Sequence, residues 1–402
     1  MKKNNKIPKL RFSGYTDDWE RRKLSEVVKE VKRTDETSDA PVMMITAENG
    51  FINQSERYST NNAGQSLKKY ILLEKGELAY NHGASKLRPF GSCFALISKG
   101  KARIPFVYHC FSSKSENAEF LSLTLNGKPV ERQLRRIVSS SARMDGLLNI
   151  SFEEYTAIPI SLPQKAEQDR IADYFRSLDC LITLYQRKLE KLQNMKKSCL
   201  QKMFPKDGAT VPEIRFSEFQ GDWEERTLGS CFDERLESLP DGELLSVTIG
   251  SGIKKFSELD RHDNSNTDKS KYKRVCIGDI AYNSMRMWQG ASGRSPYEGI
   301  VSPAYTVVKP IGDIDTQFFA YMFKKKEIIH LFEINSQGLT SDTWNLKYPA
   351  FSKIVVRVPR NVEEQSRIAR FLLELDELIS CTEQEIEITK RMKKGCLQKM
   401  FV

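Results

Sequence analysis

The sequence predicts a mixed α/β protein made of two related domains, each followed by one long helix. Three observations support this prediction. At 402 residues the chain is longer than one hydrophobic core usually organises. Two stretches of sequence each occur twice, and strand-like and helix-like segments alternate between them. A duplicated domain further predicts that the two copies are related by a pseudo-two-fold axis.

The first duplicated stretch opens each half of the chain. IPKLRFSGYTDDWERRKL at 7–24 returns as VPEIRFSEFQGDWEERTL at 211–228. Trp19 and Trp223 lie close to repeated phenylalanines, which favours a place in a hydrophobic core for both tryptophans. The alternative is that they form an exposed aromatic platform.

The second duplicated stretch closes each half and has the periodicity of a helix. RIADYFRSLDCLITLYQRKLEKLQNMKKSCLQKMF at 170–204 is matched by RIARFLLELDELISCTEQEIEITKRMKKGCLQKMF at 367–401. Apolar residues recur in alternating steps of four and three, which is the coiled-coil pattern. The predicted seam consists of Ile171, Phe175, Leu178, Ile182, Tyr185, Leu189 and Leu192 in the first helix and Ile368, Leu372, Leu375, Ile379 and Ile386 in the second. At about 1.5 Å per residue, each helix would be a rod of roughly 55 Å.

Two matched seams predict that the two helices pair with each other within the chain. The alternative is that each helix packs only on its own domain. Lys196 and Lys393 interrupt the two seams at the same register. Either these lysines fix the alignment of the helices, or they extend their charged ends to solvent.

Proline and glycine residues divide the chain into segments. Strand-like runs end at Pro163 and Pro359, just before each helix, and Pro205 and Gly208 interrupt the chain after the first helix. We therefore expect five segments: a first α/β domain at 1–160, a first long helix segment at 161–204, a linker at 205–210, a second α/β domain at 211–358 and a second long helix segment at 359–402.

The rest of each half differs in sequence from its counterpart. Segments 91–97, 104–111 and 300–308 have the composition of strands, whereas segments 116–126, 129–137 and 316–334 have the periodicity of helices. One short similarity survives between the halves: KKYILLEKGELAYN at 68–81 resembles SKYKRVCIGDIAYN at 270–283.

Charge and composition narrow the possible classes of function. Lys and Arg outnumber Asp and Glu by 63 to 53, and the net charge of +10 suits a polyanionic partner without requiring one. No apolar run approaches the ~20 residues of a membrane-spanning helix, so we expect no membrane association. The first residues lack the apolar stretch of a signal peptide, which predicts a cytoplasmic protein.

The duplicated motifs together resemble a known family. Two variable domains, each opened by an RFSGYTDDW-like stretch and followed by an LQKMF-ending helix, are similar to the specificity subunit of type I restriction-modification systems. A P-x3-EQ-type pattern at the start of each helix adds to this resemblance. It runs from Pro163 to Gln168 in the first half and, with one extra residue, from Pro359 to Gln365 in the second. The resemblance covers essentially the whole chain.

The resemblance implies how the parts would work. The variable domains would be target recognition domains, and the long helices would pack as an antiparallel coiled coil that separates them. The chain would bind double-stranded DNA and carry two methyltransferase subunits, which restriction subunits join. S-adenosylmethionine, ATP and Mg would be bound by those partner subunits, and this chain would be non-catalytic.

A protein with two recognition domains should bind a bipartite DNA site, because each domain contacts one half-site and neither contacts the base pairs between them. The two half-sites should differ, since the two variable domains differ in sequence.

Two places in each half combine the residue types that bind DNA. Basic and amide side chains bind phosphates and base edges, and loops at strand ends commonly present them. One place follows the shared AYN sequence, and the other precedes the last strand of the domain. The candidates are Asn81, His82, Lys86, Arg88, Ser140, Ser141 and Arg143 in the first half and Asn283, Arg286, Gln289, Arg294, Gln337, Thr340 and Ser341 in the second. The alternative for each is an ordinary solvated surface residue.

The sequence lacks the signatures of common catalytic sites. It has no G-x4-G-K-[ST] phosphate loop and no Asn-Pro-Pro-aromatic motif of an adenine methyltransferase. The four histidines do not have the spacing of metal ligands, so we expect no metal, no cofactor and no catalytic residue in this chain. Two other functions remain open: a coiled-coil scaffold without DNA specificity, and a nuclease whose motif is unrecognised.

Overall fold

The structure is a computed structural model of the chain. It describes residues 7–57, 64–138, 148–206, 208–250, 252–260, 262, 265, 267–340 and 343–402, with the backbone alone at 64–66. The chain forms two compact units: Met1–Tyr185 with Glu385–Val402, and Gln186–Gln384. We call them the first and the second unit. Both long helices contribute residues to both units, so the units do not coincide with the two sequence repeats.

The first half of the chain contains ten strands and five helices of the α type. In chain order they are β1 (Glu20–Lys23), α1 (Leu24–Val27), β2 (Val28–Glu30), β3 (Met43–Thr46), β4 (Gly50–Asn53), β5 (Ile71–Glu74), β6 (Leu78–Asn81), β7 (Ser92–Ala95), β8 (Lys101–Ile104), β9 (His109–Ser113), α2 (Ala118–Leu125), α3 (Lys128–Ile137), α4 (Phe152–Thr156), β10 (Pro159–Leu162) and the long helix α5 (Lys165–Lys202). These counts refer to the described residues.

The second half repeats this order element by element, although most of its sequence differs. Its elements are β11 (Glu224–Thr227), α6 (Leu228–Cys231), β12 (Phe232–Glu234), β13 (Leu245–Thr248), β14 (Gly252–Lys255), β15 (Lys273–Val275), β16 (Ile280–Asn283), β17 (Ser292–Arg294), β18 (Gly299–Val301), β19 (Tyr305–Pro310), α7 (Thr316–Met322), α8 (Lys326–Ile334), α9 (Tyr348–Phe351), β20 (Val355–Val358) and the long helix α10 (Val362–Lys399).

Each unit is built around one four-stranded antiparallel sheet. The strand order is β2-β9-β6-β7 in the first unit and β12-β19-β16-β17 in the second. Three two-stranded ribbons accompany each sheet, and they too correspond between the units: β1-β10, β3-β4 and β5-β8 against β11-β20, β13-β14 and β15-β18. The predicted mixed α/β fold class is confirmed, and the two halves share one topology.

Three segments predicted as single elements are divided in the structure. The predicted strand at 104–111 is the end of β8 and the start of β9, with a turn at Pro105 between them. Likewise, the strand predicted at 300–308 is divided between β18 and β19 at Pro303, because proline has no amide proton for a ladder. The helix predicted at 316–334 is two helices, α7 and α8, between which Lys324 turns inward to bond backbone carbonyls.

The duplicated tryptophans are core residues, as their setting predicts. Trp19 is 2% exposed and packs edge-on against Phe120 and against Phe401 near the end of the chain. In the second unit Trp223 packs in the same way against Phe204 and Phe318. The phenylalanine of each LQKMF sequence therefore closes the core beneath a duplicated tryptophan.

The two long helices lie against each other within each unit. In the first unit Tyr174 of α5 contacts Cys396 of α10, with 3.6 Å between Oη and Sγ, and Asp179 accepts a 2.5 Å hydrogen bond from Lys393. Residue numbers rise along α5 as they fall along α10, so the segments are antiparallel there. In the second unit Lys196 of α5 forms an ion pair with Asp376 of α10. The predicted pairing of the helices is confirmed, and the idea that each packs only on its own domain is wrong.

Burial along the predicted seam is greatest toward the start of each helix. The buried members are Ile171, Phe175, Leu178, Ile368, Leu372, Leu375 and Ile386, and the half-buried members are Ile182, Tyr185, Leu189, Leu192 and Ile379. That all twelve form one continuous contact line remains a prediction.

Among the described residues, none of the helices combines the length and the hydrophobicity that spanning a membrane requires.

Candidate nucleic-acid interface

One backbone hydrogen bond, repeated in both units, joins the two places that the sequence singles out. In the first unit the carbonyl of His82 accepts from the amide of Leu148 at 2.9 Å. In the second unit the carbonyl of Ser284 accepts from the amide of Leu346 at 2.8 Å. His82 and Ser284 each follow the AYN sequence directly. The loop after the central strand and the segment before the last strand are therefore adjacent in both units.

In the second unit the loop after β16, here called loop A (284–290), is a compact turn. Asn283 Oδ1 accepts from the amide of Met285 at 3.1 Å, and a 3-10 turn over Met287–Gln289 ends at Gly290. Gly290 has a φ of +80°, which side-chain-bearing residues rarely adopt. This turn places the exposed Arg286 beside Gln289, whose Oε1 accepts from Nη1 at 3.4 Å.

The segment before the last strand, here called loop B (337–345), is closed by its own backbone. Gln337 and Asn345 exchange two hydrogen bonds of 3.1 and 2.8 Å, and the amide of Trp344 donates to the carbonyl of Thr340 at 3.1 Å. Gln337 and Thr340 are exposed. Ser341, a further candidate, lies outside the described residues.

Two tryptophans connect loops A and B. The rings of Trp288 and Trp344 meet edge to face, with 5.3 Å between centroids and 80° between planes. Sequence reasoning missed this pair. Its only signal was that both tryptophans lie in the candidate segments and that neither has a counterpart in the first half.

Lys324 binds the end of loop A through its side-chain ammonium. Its Nζ donates to the carbonyls of Ile249, Gly290 and Ser292 at 3.1, 2.6 and 2.8 Å. Burial, with a smaller contribution from the charge of Lys196, lowers the pKa of Lys324 to about 8. This lysine therefore links the turn between β13 and β14 to the end of loop A, and its role is structural.

In the first unit Asn81 and His82 stabilise their loop from within. Asn81 Nδ2 donates to the carbonyl of Ile45 at 3.0 Å, and its Oδ1 accepts from the amide of Gly83 at 2.9 Å. His82 is 6% exposed, and its ring nitrogens lie 2.9 and 2.8 Å from the carbonyls of Leu148 and Val107. A DNA-reading role for the His82 side chain does not fit this geometry, because the ring is buried and engaged on both sides.

Arg88 contacts the end of α2, and Arg294 contacts the start of α7. Arg88 Nη1 donates to the carbonyl of Asn126 at 2.7 Å, and burial lowers the pKa of this guanidinium. Arg294 Nε donates to Thr316 Oγ1 at 3.1 Å. Both are half-buried, whereas Lys86 is exposed.

The candidates thus fall into three groups. Lys86, Arg286, Gln337 and Thr340 are exposed, Asn81, Arg88, Asn283, Gln289 and Arg294 are half-buried, and His82 is buried. Ser140, Ser141 and Arg143, like Ser341, lie outside the described part of the chain. That the accessible candidates contact DNA remains a prediction.

A buried ion pair anchors the opening motif of each half to the start of a long helix. Arg11 forms two hydrogen bonds with the carboxylate of Glu167, at 2.8 and 2.7 Å, and Arg215 forms two of 2.8 Å with Glu364. The indole of Trp223 also donates to Glu364, at 3.2 Å. The duplicated RFS and EQ motifs contain these residues, but the sequence did not indicate that they pair.

The glutamine of each EQ motif connects the long helix to the domain. Gln168 Nε2 donates to the carbonyl of Pro163, and its Oε1 accepts from the amide of Asn117, which caps α2. In the second unit Gln365 bonds Pro359 and the α7 cap in the same way. The EQ motif therefore fixes the orientation of the domain on the start of its helix.

Among the residues that the structure describes, no group of three or more His, Cys, Asp or Glu side chains could hold a metal ion. Loops A and B present guanidinium, amide, hydroxyl and aromatic groups. This set can bind phosphates and base edges.

Part of the sequence matches a known protein family. Residues 16–194 match the family described as the type I restriction modification DNA specificity domain. Residues 16–194 are therefore similar to a type I specificity domain. The match bears out, over that part of the chain, the resemblance that the duplicated motifs predict.

Individual relatives agree with this assignment. The chain is 26% identical over 139 residues to the specificity subunit of the type I restriction enzyme MjaVIII from Methanocaldococcus jannaschii, a match that covers 33% of this chain and 32% of that subunit. The matched region thus spans about a third of the relative's length.

Solved structures extend the likeness in fold. The crystal structure of a type I restriction-modification S subunit from M. genitalium has a TM-score of 0.58 at 15% identity, covering 98% of this chain and 99% of that chain. The HsdS subunit from Thermoanaerobacter tengcongensis has a TM-score of 0.46 at 13% identity, covering 96% and 97%. The M. genitalium match shows that the chain shares the fold of that structure over 98% of its length.

Proposed function

We propose that this chain is the DNA sequence-specificity subunit of a type I restriction-modification complex. It binds a bipartite, asymmetric DNA site, with one half-site read by each unit. The observation that carries this proposal is the repeated hydrogen bond between the loop after the AYN sequence and the residue that follows the second candidate segment, His82–Leu148 in one unit and Ser284–Leu346 in the other. One scaffold thereby presents two different sets of side chains, which is what an asymmetric site requires.

The second unit offers the better described reading surface. Arg286 is exposed and is oriented by Gln289, so its guanidinium can bind a guanine edge or a phosphate. Gln337 and Thr340 are exposed on loop B, next to loop A, and an amide of this kind suits adenine. In the first unit Lys86 occupies the exposed position of the corresponding loop.

The chain itself supplies recognition, and the chemistry belongs to partners. Methyltransferase subunits bind S-adenosylmethionine, and restriction subunits bind ATP and Mg. Each unit also presents the same junction between a domain and a long helix, so two methyltransferase subunits can dock through equivalent contacts.

Methylome sequencing tests the proposal directly. The chain is expressed together with the methyltransferase subunit of its host, and methylated adenines are mapped in a strain that lacks other systems. One bipartite motif should appear, and it should disappear when this chain is omitted. Methylation of the same sites without the chain would contradict the proposal.

Binding measurements separate a DNA reader from a scaffold. A chain that contacts phosphates should lose DNA affinity steeply as salt rises, whereas a scaffold should show no salt-dependent DNA affinity. Arg286→Ala should relax selectivity at one position, by about 1–3 kcal/mol for a bidentate contact. The matched control is Arg391→Ala, which removes an exposed arginine from α10, far in sequence from both loops.

A further inference from the structure

Two of the four tryptophans of the chain have no counterpart in the other half. Trp19 and Trp223 are duplicated and buried, at 2% and 3% exposure. Trp288 and Trp344 occur only in the second half, where they meet across loops A and B. Counted from the AYN sequence and from Leu148, the corresponding positions of the first half are Lys86 and Gly146.

Loops A and B carry two more apolar side chains in addition to the tryptophan pair, and these four residues are here called the apolar patch. Trp288 and Trp344 are half-buried, Met285 of loop A is 44% exposed, and Leu339 of loop B is 100% exposed. An apolar side chain stabilises a fold only to the extent that it is removed from water, at roughly 25 cal/mol per Å². Leu339 therefore contributes nothing by burial within the chain. Clustered exposed apolar groups usually mark a binding surface.

Charge around the patch identifies the class of partner. Arg286 projects from loop A, and in the described part of the chain its one side-chain hydrogen bond is to Gln289. Lys347 follows loop B and is exposed. The only acidic residue in the two loop sequences is Asp342. Cationic groups beside aromatic and aliphatic ones suit nucleic acid, whose bases stack on apolar side chains while its phosphates bind the cations.

We propose that Trp288, Trp344 and Leu339 form an apolar wedge that enters between base pairs in the half-site read by the second unit. The wedge unstacks one base step, and Arg286 binds an adjacent guanine edge. The first half has no such tryptophan pair, so deformation is confined to one of the two half-sites. This inference rests on the proposed function and adds a sequence-dependent deformation to it.

The backbone of loops A and B supports the wedge. Two hydrogen bonds between Gln337 and Asn345 close loop B, and the Leu346–Ser284 bond fixes it to loop A. Lys324 fixes the far end of loop A at Gly290. An inserting group must be held in this way, because a mobile loop would not transmit the force needed to separate two stacked base pairs.

The test uses the complex of this chain with its methyltransferase subunits and a duplex that carries the mapped motif. 2-Aminopurine is placed in turn at each position except the methylated adenines, since its fluorescence rises when the base loses its stacking neighbours. The fluorescence should rise at one step of the second unit's half-site and at none in the first. The Arg286→Ala variant identifies which half-site belongs to the second unit.

Two variants should lower the fluorescence rise. Trp344→Ala should return the fluorescence to the level of the free duplex and weaken site binding about tenfold, as expected for the loss of one stacked contact. Leu339→Ala should also reduce the rise, and it keeps the fold intact because that side chain is fully exposed. Trp288→Phe is the conservative variant and should retain most of the signal.

The outcomes are distinct. If the complex binds and methylates its motif but no position brightens, the wedge is wrong while the proposed function stands. A rise that Leu339→Ala and Trp344→Ala leave unchanged, in variants that melt like the parent, would also overturn the wedge. If no motif is methylated at all, the proposed function is wrong, and the wedge that rests on it is wrong as well.

Discussion

Arg11 and Arg215 show how a single residue links distant parts of this sequence. Each forms a bidentate ion pair with the glutamate of an EQ motif, Arg11 with Glu167 and Arg215 with Glu364. Both carboxylates are almost fully buried. A buried carboxylate that loses its cation is left uncompensated in a poorly hydrated place. These pairs should therefore matter far more for stability than the exposed pairs around them.

We expect Arg11→Leu to destabilise the first unit by about 3 kcal/mol, because it leaves Glu167 buried and unpaired. Urea denaturation followed by circular dichroism measures this change. The matched control is Lys128→Leu, which breaks a pair of the more exposed kind with Glu131 and should change the free energy of unfolding by less than about 1 kcal/mol. Equal effects of the two substitutions would contradict the importance of the buried pair.

The cysteines allow a second test at this scale. Burial raises the pKa of Cys93 to about 12 and also raises that of Cys110, whereas Cys180 and Cys381 are exposed. A thiol whose folded pKa lies above its unfolded value contributes stability that is fully present below about pH 9 and is lost as the pH rises toward the folded value.

In native protein at pH 8, we expect a thiol reagent to label Cys180 and Cys381 quickly and Cys93 and Cys110 only after unfolding, because the thiolate is the reactive form. Mass spectrometry of labelled peptides measures the rates. The free energy of unfolding of the first unit should fall between pH 9 and 12. Labelling of Cys93 as fast as that of Cys180 would refute its burial.

At the residue level, the sequence can indicate which loop side chains are exposed, but it cannot indicate which are engaged by distant partners. Lys86 and Arg286 are exposed in the loops where the sequence placed them. His82 looks equally suitable in the sequence, but its ring lies between carbonyls of residues 107 and 148, which local sequence cannot reveal. The same holds for Glu167, whose partner lies 156 positions away.

At the scale of elements, two reciprocal ion pairs explain the lysines that interrupt the helical seams. Lys196 pairs with Asp376 in the second unit, and Lys393 pairs with Asp179 in the first. The sequence left open whether these lysines align the helices or only reach solvent. The structure shows that each meets an aspartate of the other helix, so the charges can specify which residues lie opposite one another.

A double-mutant cycle tests this role. Lys196→Glu should destabilise the second unit because it places two negative charges side by side, and Asp376→Lys should do so as well, since it sets Lys196 against a cation. The combined exchange should recover about 0.5–1 kcal/mol, a modest value because both side chains are partly exposed. Chemical denaturation of all four proteins measures the coupling. A coupling energy of zero would leave the lysines without an aligning role.

Element boundaries followed the sequence closely where periodicity or proline marked them. The helices predicted at 116–126 and 129–137 are α2 and α3, within two residues at each end. The helix predicted at 316–334 was wrong as a single element, because a buried lysine between α7 and α8 breaks it. Periodicity detects an apolar face, but it does not detect an inward-turning polar group.

In the whole molecule, each sequence repeat contributes residues to both units, which a simple tandem duplication would not require. The end of α5, with Phe204, lies in the core of the second unit, and the end of α10, with Phe401, lies in the core of the first. The two LQKMF copies are identical, so the sequence could not decide which tryptophan each phenylalanine meets. Each unit therefore needs residues from both halves to complete its core.

Exchange of one recognition arm tests the proposed function at this scale. Replacing residues 25–157 by those of a relative leaves the β1-β10 ribbon and the Arg11–Glu167 pair intact, because both lie outside the exchanged segment. The donor should supply an Asn cap at position 117 and a Phe at 120, because the Asn amide donates to Asp169 of α5 and the Phe packs against Trp19.

We expect the methylated motif of such a hybrid to change in one half-site only, because each unit reads DNA through its own pair of loops. A hybrid that lacks the cap, with Asn117→Ala, is the control for docking of the arm and should be less stable while keeping the same new half-site. Methylome sequencing of cells that express each hybrid reads the outcome. A change in both half-sites, or in neither, would show that recognition is not local to the units.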